Sequence, residues 1–135
     1  MQVRKAMLED SLTACEFEGV YSIDRLPKEL KNGIYIVNSS PSDIPVGHWI
    51  AIAKKFFFDS YGLPPEFYGL LPLQYNNAAL QAPDSSLCGF YCILFSKIIA
   101  RGYKLEEMIR YFTDSPHHND RIMQKVAQGL KLNIL

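Results

Sequence analysis

A chain of 135 residues with 48% hydrophobic content has room for one globular domain with a core of ordinary size. Its formal net charge is zero and its pI is about 6.8, which removes the overall positive field that would draw it onto nucleic acid or an anionic membrane. No apolar run approaches the roughly 18 residues of a membrane span, and three cysteines at irregular spacing point to a reducing compartment.

The first residues, Met1-Gln-Val-Arg-Lys-Ala-Met, lack a hydrophobic signal core, so an intracellular protein is expected. Val3, Ala6, Met7 and Leu8 among charges suit a short amphipathic helix from Met1 to about Ala14, and Cys15 is read as structural or exposed. Between Phe17 and Asn32, Pro27 is placed to open a single helical turn that Asn32-Gly33 would end. Ile34-Tyr35-Ile36-Val37-Asn38 is a strand of β-branched and aromatic residues, expected to be central and closed by the turn-rich run Ser39 to Pro45.

Gly47 to Gly62 reads as two strands with almost no loop between them, a hairpin. If the turn is centred between Ala53 and Lys54, paired residues carry numbers that sum to 107, and His48 lies opposite Asp59 on one face. Opposed Cβ atoms are about 4.5–5.5 Å apart, within hydrogen-bonding reach for an imidazole and a carboxylate. The turn lacks the Asn-Gly or Asp-Gly that would fix this register, and a slip of one residue would send Asp59 to the other face. Beyond the hairpin, the prolines of Leu63-Pro64-Pro65 suit a helix start and Leu73 to Asn76 suits another strand, both read as scaffold.

The stretch Gln81-Ala-Pro-Asp-Ser-Ser-Leu-Cys88-Gly89 leads a polar loop into an apolar helix. Phe90, Ile93, Leu94, Phe95, Ile98 and Ile99 are too dense for a surface helix with one apolar stripe, so this helix is expected to be buried. Asp84, Ser85 and Ser86 are all capable N-cap residues, which puts Cys88 in the first turn. There the unpaired N–H groups and the macrodipole favour a thiolate. Gly89 leaves room beside the sulfur for a substrate backbone, and the same N–H groups could cradle an oxyanion. Most free cysteines are small buried hydrophobes. Cys92, inside the apolar run, fits that description; Cys88 fits it less well, and His48 with Asp59 supplies the base and orienting carboxylate that a nucleophilic cysteine needs.

After Gly102, Leu105 to Phe112 reads as a second helix with Glu106 and Glu107 in its first turn, and Asp120 to Leu132 as a third with Lys125 and Lys131 toward its end. His117 and His118 are placed in the loop before it. With neither Cys-x-x-Cys nor His-x-x-x-His in the chain, no metal site is read and no cofactor is required. The fold class expected is α+β, a central and mostly antiparallel sheet packed against the buried helix that bears Cys88 at its N-terminus.

Gly-His-Trp on one strand, Phe-Asp-Ser-Tyr-Gly closing the next, and Gln-x-Pro-x-Ser-x-x-Cys-Gly-x-x-Cys opening a buried helix together resemble the adenovirus protease (adenain) family of cysteine endopeptidases, which is related to the SUMO-specific proteases. The match is specific for roughly residues 33–100; the glutamine precedes the cysteine by seven positions, as in adenain, and Leu87 stands where a SUMO-specific protease usually has aspartate. The resemblance implies one adenain-like domain over residues 1–135, with Cys88 as nucleophile, His48 as general base and Asp59 holding the imidazole. It makes Gln81 an oxyanion donor beside the backbone N–H of Cys88, and Trp49 a shield of the His–Cys pair from water.

It further implies a viral or virus-like enzyme that cuts precursor structural proteins during virion maturation, in the host nucleus or a virus factory or packaged in the virion. Family members prefer small residues, especially glycine, around the scissile bond. Activation by DNA or a viral peptide also belongs to the resemblance. The chain departs from the family there, being shorter and neutral, with no cysteine between His48 and Cys88 to hold a peptide covalently. A deubiquitinating or SUMO-removing isopeptidase on the same scaffold, and an inactive module that binds through the old groove, are the alternatives.

Overall fold

A computed structural model describes residues 17–43, 47–53 and 55–129. The expected N-terminal helix, Cys15 and Lys131 lie outside the described residues. Among the described residues five strands form one sheet in the order β1-β2-β3-β4-β5: β1 Phe17–Ser22, β2 Ile34–Asn38, β3 Trp49–Ala53, β4 Phe56–Phe58 and β5 Gln74–Tyr75. Three α-helices follow among them, α1 Cys88–Ala100, α2 Leu105–Ile109 and α3 Pro116–Gly129. The molecule is therefore α+β, and β2, though not the middle strand, is paired on both sides.

The sheet is mixed and not mostly antiparallel. β2 with β3 and β3 with β4 run antiparallel, whereas β1 with β2 and β4 with β5 are parallel. The two outer pairs are joined by long connections, residues 23–33 and 59–73, that carry the chain back to the end at which the preceding strand began. The helical turn expected at Pro27 is absent; a 3-10 turn instead occupies Ile23–Arg25. β1 was not read from the sequence at all, because Gly19 interrupts it. The structure uses that glycine at an irregularity in the β1–β2 register, with φ 147°.

Both faces of the sheet are covered, which is why β2, β3 and β4 read as nearly unbroken apolar runs. Ile34, Ile36, Ala51, Ala53, Phe56 and Phe58 pack beneath α1, with the Phe58 and Phe95 rings stacked at 5.0 Å. Tyr35, Val37, Ile50, Ile52 and Phe57 face the other way and are covered by Ile23, Leu26, Tyr68, Leu70 and Leu73. α1 itself is buried nearly all round, with Phe90, Tyr91, Cys92, Ile93, Phe95 and Ile99 inside. α2 ends earlier than the sequence suggests. α3 starts earlier, at Pro116, so His117 and His118 lie in its first turn and not in a loop; both are exposed.

The connection after β4 decides where the hairpin's end is held. Gly62 adopts φ +77°, and a Cβ built there would lie 2.6 Å from the Ala78 carbonyl carbon and 2.8 Å from the Ala79 nitrogen. Backbone cannot yield cheaply to such an overlap, and the left-handed conformation adds strain of about 1–3 kcal/mol for a side-chain-bearing residue. Gly62→Ala is expected to lower the thermal midpoint by several degrees or more. Differential scanning fluorimetry reads this directly, and an unchanged midpoint would show that the turn relaxes freely.

Candidate active site

Three segments meet at one end of the sheet: the start of β3, the turn after β4, and the loop leading into α1. The hairpin that brings the first two together has a different register from the expected one. Ala51 pairs with Phe58 and Ala53 with Phe56, so partners sum to 109. A slip of two positions keeps every side chain on its face, so His48 and Asp59 still share one. Extended past the paired residues, that register sets Tyr61 across from His48, and their rings stack with centroids 4.5 Å apart and 24° between planes. Asp59 reaches the imidazole diagonally, with His48 Nε2 to Asp59 Oδ1 at 2.6 Å.

Asp59 has no solvent exposure, and its acceptors are filled. Oδ1 takes the His48 bond and the backbone N–H of Tyr61 at 2.9 Å; Oδ2 accepts the Tyr68 hydroxyl at 2.6 Å. Its main chain is held by Asn76, whose amide nitrogen donates to the Asp59 carbonyl at 2.6 Å while its oxygen accepts the Asp59 N–H at 3.2 Å. Tyr68 lies on a 3-10 turn, Pro65–Tyr68, and Asn76 just after β5, both read from sequence only as scaffold.

Cys88 is the first residue of α1, as expected, but Leu87 is the N-cap and none of Asp84, Ser85 and Ser86 caps the helix through its side chain. Ser85 closes the loop instead. Its carbonyl and hydroxyl each accept from Gln81 Nε2 at 2.9 Å. Gln81 is buried, and its Oε1 accepts the Ser60 hydroxyl at 2.5 Å. Ser60 is the residue after Asp59, and its carbonyl also takes the N–H groups of Leu80 and Gln81. The glutamine thus ties the hairpin's end to the cysteine loop, with its amide engaged at Ser60 and Ser85. Asp120 on α3 holds the same loop from below, accepting from Ala82 N–H at 3.3 Å and from the Tyr91 hydroxyl at 2.8 Å.

Cys88 is half-buried and lies beside His48, whose side chain bears on its thiol. With Nε2 turned to Asp59, Nδ1 is left for the sulfur. Burial alone would push the thiol up, but the His48 hydrogen bond, the Trp49 backbone N–H, the imidazolium charge and the Gly89 N–H together bring it below its ordinary value. Burial likewise opposes a charged His48. The hydrogen bonds and negative charges of Asp59 and Cys88 overcome it and raise the imidazole to about 9. Asp59 is lowered, since the bonds from His48, Tyr68 and the Tyr61 N–H outweigh its desolvation. The three directions agree: the proton is favoured on His48, between a cysteine drawn toward its thiolate form and the Asp59 carboxylate.

The sign of each shift sets where the site stabilises the fold. His48, raised above its ordinary 6.5, contributes fully below about pH 6.5 and loses that contribution as pH rises through about 9. Asp59, lowered below 3.8, contributes above that value and loses it on acidification.

Of the residues singled out in the sequence, Cys88, His48 and Asp59 come together in one chain of contacts, and Gln81 belongs to the same network. Trp49 and Gly89 adjoin the sulfur chiefly through their backbone N–H groups. The Trp49 side chain is half-buried against the core beneath α1, and Gly89 is buried. Tyr61, Tyr68, Asn76 and Ser60 were missed. A register summing to 109 would have found Tyr61; the others act across long sequence gaps that no local pattern reveals.

Cys92 is fully buried, and burial pushes its thiol well up, so it is inert packing. Among the described residues no group of three or more His, Cys, Asp or Glu side chains could hold a metal ion, and no helix is long and apolar enough to cross a membrane. No protein-family model matches the chain, and no curated protein matches it.

Proposed function

We propose that this chain is a cysteine endopeptidase with an adenain-like fold, and that it cuts precursor polypeptides of a virus or virus-like element. The observation that carries the reading is the line Cys88–His48–Asp59, a cysteine at the start of a buried helix beside an imidazole that a buried carboxylate holds at 2.6 Å. A structural cysteine has no use for such a partner.

The chemistry follows from the proton's position. The Cys88 thiolate attacks the scissile carbonyl, forming a C–S bond and a tetrahedral oxyanion that backbone N–H groups in the first turn of α1 can stabilise. Collapse breaks the C–N bond as His48 gives its proton to the departing amine. Water then attacks the thioester with His48 as base, and the thiolate leaves with the imidazole protonated again. Asp59 keeps the ring aimed and its charged form favoured throughout. Gln81 serves by fixing the loop through Ser60 and Ser85; a direct donation to the oxyanion requires one Nε2 hydrogen to leave Ser85.

The test is incubation of the protein with a peptide library rich in Gly-Gly and Gly-x sites, with and without added DNA, read by mass spectrometry. Cleavage at a restricted set of glycine-containing sites is expected. Release of ubiquitin-like modifiers with no cut in any linear peptide would shift the reading to an isopeptidase, and absence of either would favour a binding module.

A further inference from the structure

Tyr61 touches Asp59 and His48, two members of the catalytic line, and the loop before Cys88, without being one of the reacting groups. Its backbone N–H donates to Asp59 Oδ1 at 2.9 Å, its ring lies nearly parallel over the His48 ring, and its hydroxyl reaches the Ser85 carbonyl at 3.5 Å. The Ser85 carbonyl is also the acceptor for Gln81 Nε2. One side chain therefore spans the hairpin that supplies the base and the loop that presents the nucleophile.

We propose that Tyr61 is a positioning residue for the ion pair, its ring covering the charged face of His48 and stabilising the imidazolium against the neutral imidazole. The inference rests on the hydrolase reading for its consequence, and on the ring stack for its physics. An aromatic face carries negative potential and attracts a cation laid over it within about 6 Å. His48 is 17% exposed. With the Tyr61 ring on one face, the ion pair is shielded on a side where water would otherwise compete.

The other groups facing His48 are the Asp59 carboxylate at the end of β4, itself bonded to Tyr68, and the Cys88 sulfur on α1. Both are anionic in the active form, so both favour the same charged imidazole. Asp84 and Asp120 bear electrostatically on the Tyr61 phenol, which burial and its anionic neighbours push up, keeping it a neutral donor. The Tyr61 bond to Asp59 comes from its backbone N–H and survives exchange of the side chain, so the contribution of the stack is separable.

The experiment is a proton NMR titration of the His48 ring in Tyr61→Leu and Tyr61→Phe beside wild type, with the pH profile of peptide hydrolysis recorded on the same proteins. In Tyr61→Leu the His48 midpoint and the alkaline limb of hydrolysis are expected to fall together by about one pH unit. Tyr61→Phe keeps the ring and is expected to hold both near wild type. Where Tyr61→Leu fails to fold, Tyr61→Gln removes the ring while retaining a polar tip for Ser85, and the same fall is expected.

A midpoint unmoved in the ringless variant overturns the proposal, as does a Phe variant that shifts as far as Leu, since the hydroxyl would then be the active part. A side chain that merely supports the fold would lower kcat without moving the limb. If wild type cuts no peptide, the hydrolase reading fails while the NMR titration still decides whether the ring holds the charge on His48.

Discussion

Exchange of Cys88 for alanine is expected to abolish peptide hydrolysis, a fall of about 10⁶-fold in kcat, while the protein stays folded. The size of the effect follows from the division of labour in the site. In the proposed mechanism every step passes through a bond to the Cys88 sulfur, and no other described thiol can replace it. Cys92 lies one turn along α1 but is fully buried and held in its neutral form. Backbone N–H groups at the start of α1 survive the exchange, so any residual rate reports their contribution alone. The fold is expected to tolerate the change because Cys88 is half-buried at the first position of its helix, where a missing sulfur opens no closed cavity. An alanine variant that still cuts the wild-type substrates would remove Cys88 from the mechanism.

Asp59→Asn is the second large effect, a loss of about 10³- to 10⁴-fold in kcat with the alkaline limb moved to lower pH. The carboxylate supplies both a hydrogen bond and a negative charge that hold the proton on His48. An amide of the same shape keeps one acceptor and brings an NH2 group. Three donors converge on the wild-type carboxylate, from His48, Tyr61 and Tyr68. One amide oxygen cannot serve both ends of that arrangement, although the Tyr68 hydroxyl can turn and accept, so the fold is expected to persist. His48 then falls from about 9 toward or below its ordinary 6.5, and the thiolate loses its partner at neutral pH. A full pH–rate profile distinguishes this from simple misfolding, which would scale the curve without moving it. An Asn variant with the wild-type limb would show that Asp59 only fills space.

How much of this was readable in the chain depends on the distance over which each feature is specified. The strand Ile34–Asn38 and the buried helix after Cys88 are written in local composition, and both are present. The pairing of His48 with Asp59 survived an error in register because the error was two residues, an even number, and side chains alternate with period two. The sequence between Ala53 and Phe56 holds no Asn-Gly or Asp-Gly, so nothing local could have set the register correctly.

Parallel pairing was invisible for the opposite reason. β1 meets β2, and β4 meets β5, through connections whose course is fixed by packing of Ile23, Leu26, Leu70 and Leu73 against the sheet's second face. The support around Asp59 is equally non-local. Tyr68 and Asn76 lie 9 and 17 residues from Asp59, whose carboxylate and main chain they respectively hold, and neither has a neighbour pattern that distinguishes it from scaffold. Gln81 was singled out only through resemblance, and its observed bonds to Ser60 and Ser85 assign it to holding the loop before any role at an oxyanion.

The most direct measurement is the pH dependence of Cys88 alkylation by iodoacetamide, read by peptide mapping in wild type and His48→Ala. It needs no substrate and no activator. The account predicts rapid alkylation at neutral pH in wild type, controlled by a thiol below its ordinary value and changing again near pH 9 as His48 loses its proton, with neutral-pH reactivity largely lost in His48→Ala. A single rise at the ordinary thiol value of about 8.5, the same with and without the histidine, would contradict the ion pair and with it the catalytic line on which the account rests.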